Sequence, residues 1–138
     1  MIKGQEIVFV VDDDLAVRES LKFALELEGL VVRVCGSGAE LLRHSDLPQA
    51  GCLVMECKMP LMDGFEVLGI FAARGTKLPV ILLTSYATEA FRRRAAAAGV
   101  KFILEKPLLN GSLVDRIHEV LGYSQQVTLA APNLKFPV

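Results

Sequence analysis

The chain has 138 residues, 52% hydrophobic and 22% charged, and 15 basic against 16 acidic side chains give a formal net charge of -1. Such a chain builds one ordinary globular domain with its own core and little room for a second, and the balanced charge offers no global field to gather nucleic acid or anionic lipid. No apolar run nears the ~20 residues a bilayer crossing needs, and Met1 to Glu6 lack the order of a secretory leader, so the expected compartment is the cytoplasm, without membrane or nucleic-acid binding.

Short apolar runs alternate with longer amphipathic stretches along the chain. Ile7 to Val11 is the first run and leads into Asp12, Asp13 and Asp14. Asp14 is placed to cap a helix from about Leu15, with Val17, Leu21, Ala24, Leu25 and Leu27 on one stripe and Gly29 ending it. Leu30 to Val34 is the second run, where Arg33 marks an edge or near-edge strand. Ala39 to Arg43 suits a short helix. Cys52 to Met55 is the third run, with Glu56 at its end. Asp63-Gly64 shapes the loop into a helix over Phe65 to Ala73, with Phe65, Leu68 and Phe71 or Ala72 inward. Val80 to Leu83 is the fourth run, followed by Thr84. A helix over Thr88 to Ala98 is closed by Gly99. Phe102 to Leu104 is the fifth run, followed by Glu105, Lys106 and Pro107, and Leu113, Ile117, Val120 and Leu121 mark a last helix.

The first, third and fourth runs are apolar throughout instead of alternating, as strands buried on both faces of a parallel sheet are. The pattern predicts an α/β fold with right-handed crossovers and helices on both sides of the sheet. Residues 1–122 form the predicted domain. Residues 123–138 read as a tail or the start of a linker, with Val127 to Leu129 a candidate extra strand.

In an open parallel sheet the ligand site lies at the carboxyl ends of the strands. There the sequence delivers Asp12, Asp13 and Asp14, then Glu56, Thr84, Glu105 and Lys106. Carboxylates suit a hard cation such as Mg²⁺, and an ammonium and a hydroxyl suit phosphoryl oxygens. The segments Val10-Val11-Asp12-Asp13-Asp14, Met59-Pro60-Leu61-Met62-Asp63-Gly64, Leu83-Thr84 and Glu105-Lys106-Pro107 together resemble the receiver domain of two-component response regulators, particularly those preceding a helix-turn-helix output domain. The likeness covers roughly Glu6 to Leu121.

That resemblance implies a five-stranded doubly wound sheet of order 2-1-3-4-5, flavodoxin-like. It implies a signalling module with no catalytic residues of its own, partnered by a histidine kinase or another regulator. It places Mg²⁺ on Asp12, Asp13, the residue at position 56 and the Lys58 carbonyl. It makes Thr84 the switch hydroxyl, Lys106 the phosphate-binding lysine and Lys106-Pro107 a cis bond. A docking and dimer face is implied on the fourth helix, fifth strand and fifth helix, where Arg92, Arg93, Ala97 and Ile103 lie.

Two positions depart from the family pattern. Glu56 stands where the phosphoacceptor aspartate is expected, and its extra methylene carries the carboxylate ~1.5 Å further from the backbone, enough to spoil in-line transfer and to weaken a Mg²⁺ site. Ile103 stands where a Tyr or Phe switch is usual, and alternation turns Phe102 to the other face. Glu56 either imitates an aspartyl phosphate through Lys106 and Thr84 or fixes one conformation by an ion pair. The leading expectation is a receiver-like domain acting by protein contact in a phosphate-independent state, and the alternative is a working Mg²⁺-dependent phosphoacceptor. Arg92, Arg93 and Arg94 spread around their helix and read as a solvated face or a partner surface. His44 and His118 read as packing or surface residues, and Cys57 as a quiet loop cysteine or a redox-sensitive thiol. The other two cysteines, Cys35 and Cys52, lack CxxC spacing to it or to each other and read as reduced thiols.

Overall fold

The computed structural model describes residues 6–108 and 111–122. In chain order the elements are β1 (Ile7–Val11), α1 (Leu15–Leu27), β2 (Val31–Cys35), α2 (Gly38–Leu42), β3 (Ala50–Glu56), α3 (Gly64–Arg74), β4 (Val80–Thr84), α4 (Glu89–Ala97), β5 (Phe102–Glu105) and α5 (Ser112–Leu121), with a single 3-10 turn at Leu47–Gln49. All strand pairs are parallel and the order is β2-β1-β3-β4-β5. The α/β architecture and strand order expected above are therefore the ones observed.

The central strands β1 and β4 bury every side chain and β3 all but Ala50, because helices cover both faces of the sheet. Phe9, Val11, Leu53, Met55 and Leu82 pack with Leu41 of α2, Val67, Leu68 and Phe71 of α3 and Ala95 of α4. Val8, Val10, Val54, Ile81 and Leu83 pack with Leu25 of α1 and Leu113 and Ile117 of α5 on the opposite face. Each large side chain so enclosed contributes on the order of 1.5–3 kcal/mol. β2 is an edge strand, as Arg33 indicated, and that guanidinium is tied to Asp46 at 2.9 Å.

The helix ends follow local chemistry. As N-caps, the side-chain oxygens of Asp14, Ser37, Asp63 and Thr88 each accept a backbone N–H of the first helical turn. Gly29 (φ 87°) and Gly99 (φ 85°) follow α1 and α4 in the left-handed region that glycine tolerates. Two expected faces are corrected. Leu27 is 71% exposed, because it lies about 200° around α1 from the buried Leu25, and Ala24 is exposed with it. In α3 the inner face is Gly64, Val67, Leu68 and Phe71. Ala72 is exposed, and the half-buried Phe65 packs against the same core while meeting Phe91 of α4 edge-on at 5.4 Å. Val127 to Leu129, with the rest of 123–138, lie outside the described residues.

Gly64 links the fold to the site. Its N–H donates to the Cys57 carbonyl at 2.8 Å, and a Cβ there would stand 3.1 Å from the Cys57 Cα. The contact is with backbone, so a larger residue must displace the β3–α3 loop. We expect Gly64→Val to cost about 1–3 kcal/mol, measured by urea unfolding.

Candidate functional site

At the carboxyl edge of the sheet a cleft of about 490 Å³ is lined by Asp12, Asp13, Asp14, Glu56, Lys58, Thr84, Ser85, Tyr86, Thr88, Phe91 and Lys106. Asp12, Glu56 and Thr84 are the buried polar residues at its floor, 1%, 6% and 4% exposed. Asp13 and Asp14 stand exposed at its mouth. The ends of β1, β3 and β4 and the residue after β5 supply these side chains, so parallel register brings them together from positions up to 94 residues apart.

One cation serves both buried carboxylates. The Lys106 ammonium is in direct contact with Glu56 Oε1 and lies 3.2 Å from Asp12 Oδ2. The remaining carboxylate oxygens are also engaged: the Lys58 N–H donates to Glu56 Oε2 at 3.0 Å, and the Asp14 N–H to Asp12 Oδ1 at 2.9 Å. Arg18 donates to the Asp12 carbonyl at 2.9 Å, fixing the β1 end from α1. Burial alone would pull the Lys106 pKa down. The bonds and charges of Glu56 and Asp12 outweigh it together and leave the pKa above its ordinary 10.5. The Lys106-Pro107 peptide bond is cis.

Thr84 departs from expectation. Its hydroxyl does not pair with Glu56; it donates to the Tyr86 carbonyl and accepts the Tyr86 N–H, both at 3.3 Å. The oxygens of Glu56 are already taken by Lys106 and the Lys58 N–H, and the hydroxyl closes a turn of the β4–α4 segment instead. Ile103 is half-buried against the α3/α4 side of the core, while Phe102 packs on the α1/α5 side, beneath the Arg116 guanidinium at 5.0 Å. Arg92, Arg93 and Ala97 are exposed on α4. The three consecutive arginines point to three different partners: Arg92 to Glu105 at 3.8 Å, Arg93 to Glu89 at 3.5 Å, and Arg94 over the Phe65 ring at 4.0 Å.

Cys57 is buried, and burial, followed by the charge of Asp63, pushes its thiol pKa up. That keeps it protonated, against a redox-sensitive role. Cys35 and Cys52 are pushed up to about 12, in each case chiefly by burial. His44 stacks edge-on to Phe9 at 4.9 Å, a packing role.

The oxygen donors of Asp12, Asp13, Glu56 and the Lys58 carbonyl are the right kind for Mg²⁺. Among the described residues no three acidic, histidine or cysteine side chains are grouped to hold a metal by themselves, so a Mg²⁺ here would rest on one or two carboxylates, the carbonyl and water. The Lys106 ammonium sits between the two buried carboxylates a cation would need.

The sequence did not point to the Lys58 N–H or to the Tyr86 and Phe91 rings in the cleft wall, and it placed Glu105 at the site edge without giving its carboxylate a partner. The Glu105 carboxylate accepts the Ala87 N–H at 2.9 Å. Position beside Lys106 was a signal for Glu105, since it too ends a strand at the site edge.

The response regulator receiver domain family matches residues 8–118, and the chain belongs to that family of signalling domains. Over 119 residues it is 36% identical to the transcriptional regulatory protein FixJ of Azorhizobium caulinodans, covering 86% of this chain and 56% of FixJ. It thus spans about half the length of that relative. It is also 39% identical, over 127 residues, to an uncharacterized 14.6 kDa protein of Leptolyngbya boryana, covering 91% of this chain and 92% of that one. Among solved structures, FixJ-N superposes with a TM-score of 0.77 at 28% identity, covering 88% of this chain and 97% of that one. A CheY-like receiver domain from Methanospirillum hungatei superposes at 0.79 with 26% identity, covering 89% and 98%.

If one ammonium neutralises both buried carboxylates, removing it leaves two like charges facing each other. Lys106→Met should cost about 2–4 kcal/mol, somewhat less than a fully enclosed pair because the lysine side chain keeps 25% of its exposure. Adding Glu56→Gln should recover part of that loss, a coupling of about 1–3 kcal/mol in a double-mutant cycle by urea unfolding. Additive losses would contradict the shared-cation arrangement.

Proposed function

We propose that this receiver domain signals by protein contact from a phosphate-independent conformation, with Glu56 occupying the acceptor position as an ion-pair partner of Lys106. The observation that carries this reading is the commitment of both Glu56 oxygens, one to the ammonium and one to the Lys58 N–H. A nucleophile for phosphoryl transfer needs a free oxygen in line with phosphorus, and the longer side chain spends its reach on Lys106 instead. The Glu56 carboxylate brings a single negative charge in place of the roughly two of a phosphoryl group, and Lys106 neutralises it, so the pair fixes a state more than it imitates one.

The remaining assignments follow from the same reading. Residues 1–122 are the signalling unit and 123–138 a tail or linker. Thr84 and Lys106 are the switch and phosphate-side groups, and Mg²⁺ at Asp12, Asp13, Glu56 and the Lys58 carbonyl is at best a weak occupant that competes with Lys106. The partner is a histidine kinase, another regulator or a second copy, meeting the face of Arg92, Arg93, Ala97 and Ile103. No catalytic turnover is assigned to the domain, and its site of action is the cytoplasm.

The test is intact mass of the wild type and Glu56→Asp after incubation with Mg²⁺ and acetyl phosphate, under conditions that preserve acyl phosphate. The proposal expects a phosphoryl adduct on the variant alone. An adduct on the wild type would show that acceptor chemistry survives, and an unmodified variant would refute the one-methylene explanation.

A further inference from the structure

Ile103 and Glu105 lie two residues apart on β5 and so share a sheet face, the one covered by α3 and α4. Ile103 contributes only aliphatic packing there. Glu105, at the strand end, reaches the segment that joins β4 to α4. One of its oxygens accepts the Ala87 N–H at 2.9 Å, and the other lies 3.8 Å from the Arg92 guanidinium. Its backbone is registered opposite Thr84, and the next N–H along, that of Lys106, donates to the Thr84 carbonyl at 2.8 Å.

The 85–88 segment is therefore held from two sides. The Thr84 hydroxyl closes on Tyr86 at its near end, and the Glu105 carboxylate closes on Ala87. Thr88 then caps α4 by accepting the Phe91 N–H at 3.0 Å. A bond to an ionised acceptor is roughly twice as strong as a neutral one, so the Ala87 tie is the stronger of the two. Any event that draws the Thr84 hydroxyl toward position 56 releases Tyr86 and leaves the segment on Glu105 alone.

We propose that Glu105 is the positioning residue that couples the acidic cleft to the α4 surface: its carboxylate latches Ala87 and the start of α4, a connection for which the Ile103 side chain has no polar atom. The latch deepens the function proposed above and rests on it in taking the α4 side as the output face.

Amide hydrogen exchange by NMR, on full-length wild type, Glu105→Ala, Glu105→Gln and Arg92→Gln, reads the latch directly. In Glu105→Ala the Ala87 amide should exchange about tenfold faster or more, the loss expected for a bond to a charged group. Glu105→Gln, whose amide oxygen still accepts, should give a smaller rise, and Arg92→Gln should stay within about twofold because its pair is long and exposed. The Leu82 amide in the core should not change in any of them. An Ala87 amide as protected in Glu105→Ala as in wild type would overturn the latch, as would an equal acceleration at Leu82, which reports general loosening.

A second arm separates this inference from the function it rests on. In Glu56→Asp treated with Mg²⁺ and acetyl phosphate, phosphorylation should shift the Arg92 and Arg93 amides, and Glu105→Ala in that background should abolish the shift. A persisting shift would overturn the coupling. Failure of Glu56→Asp to take a phosphoryl group counts against the proposed function alone, because the exchange arm needs no phosphate.

Discussion

Two carboxylates are buried at the carboxyl edge of this sheet, and a single ammonium makes that tolerable. An ionised group with so little exposure costs several kcal/mol unless it is paired and hydrogen-bonded. Asp12 and Glu56 meet that requirement through Lys106, the Asp14 N–H and the Lys58 N–H. Everything that places Lys106 is therefore part of the site's stability: the register of β5 on β4, the Lys106 N–H on the Thr84 carbonyl and the core beneath.

In the proposed reading, the shared cation is what gives the glutamate at position 56 its consequence. Asp12, Asp13, Glu56, Thr84 and Lys106 meet at one edge of the sheet. With glutamate at position 56, the carboxylate meets Lys106 directly, the Thr84 hydroxyl turns to Tyr86, and the β4–α4 segment is held in one arrangement.

Most of the fold was legible because buried parallel strands announce themselves as continuous apolar runs, and because Asp14, Asp63, Thr88, Gly29 and Gly99 mark helix ends by well-understood local chemistry. The cleft was legible for a related reason: strand ends in this topology converge, so residues that follow each run must meet. What stayed hidden depends on side-chain direction and competition. Leu27 was misplaced and Val67 overlooked because counting apolar residues does not fix which side of a helix meets the sheet. The bond of the Thr84 hydroxyl depends on whether Glu56 has an oxygen left to offer. Glu105 was placed at the site edge beside Lys106, and only the path of the 85–88 backbone gives its carboxylate a partner.

The most direct test of the shared-cation account is an NMR titration of the Lys106 side-chain signals in wild type and Glu56→Gln. Because the carboxylates favour the charged ammonium, the folded pKa should lie above 10.5 in the wild type. The pair's stabilisation is then complete below 10.5 and is lost as pH rises through the folded value. In Glu56→Gln the pKa should fall, since one of the two opposing charges is gone while burial remains. A wild-type value at or below 10.5, unmoved by Glu56→Gln, would mean that burial dominates, and the ion pair at the centre of this account would not hold the cleft.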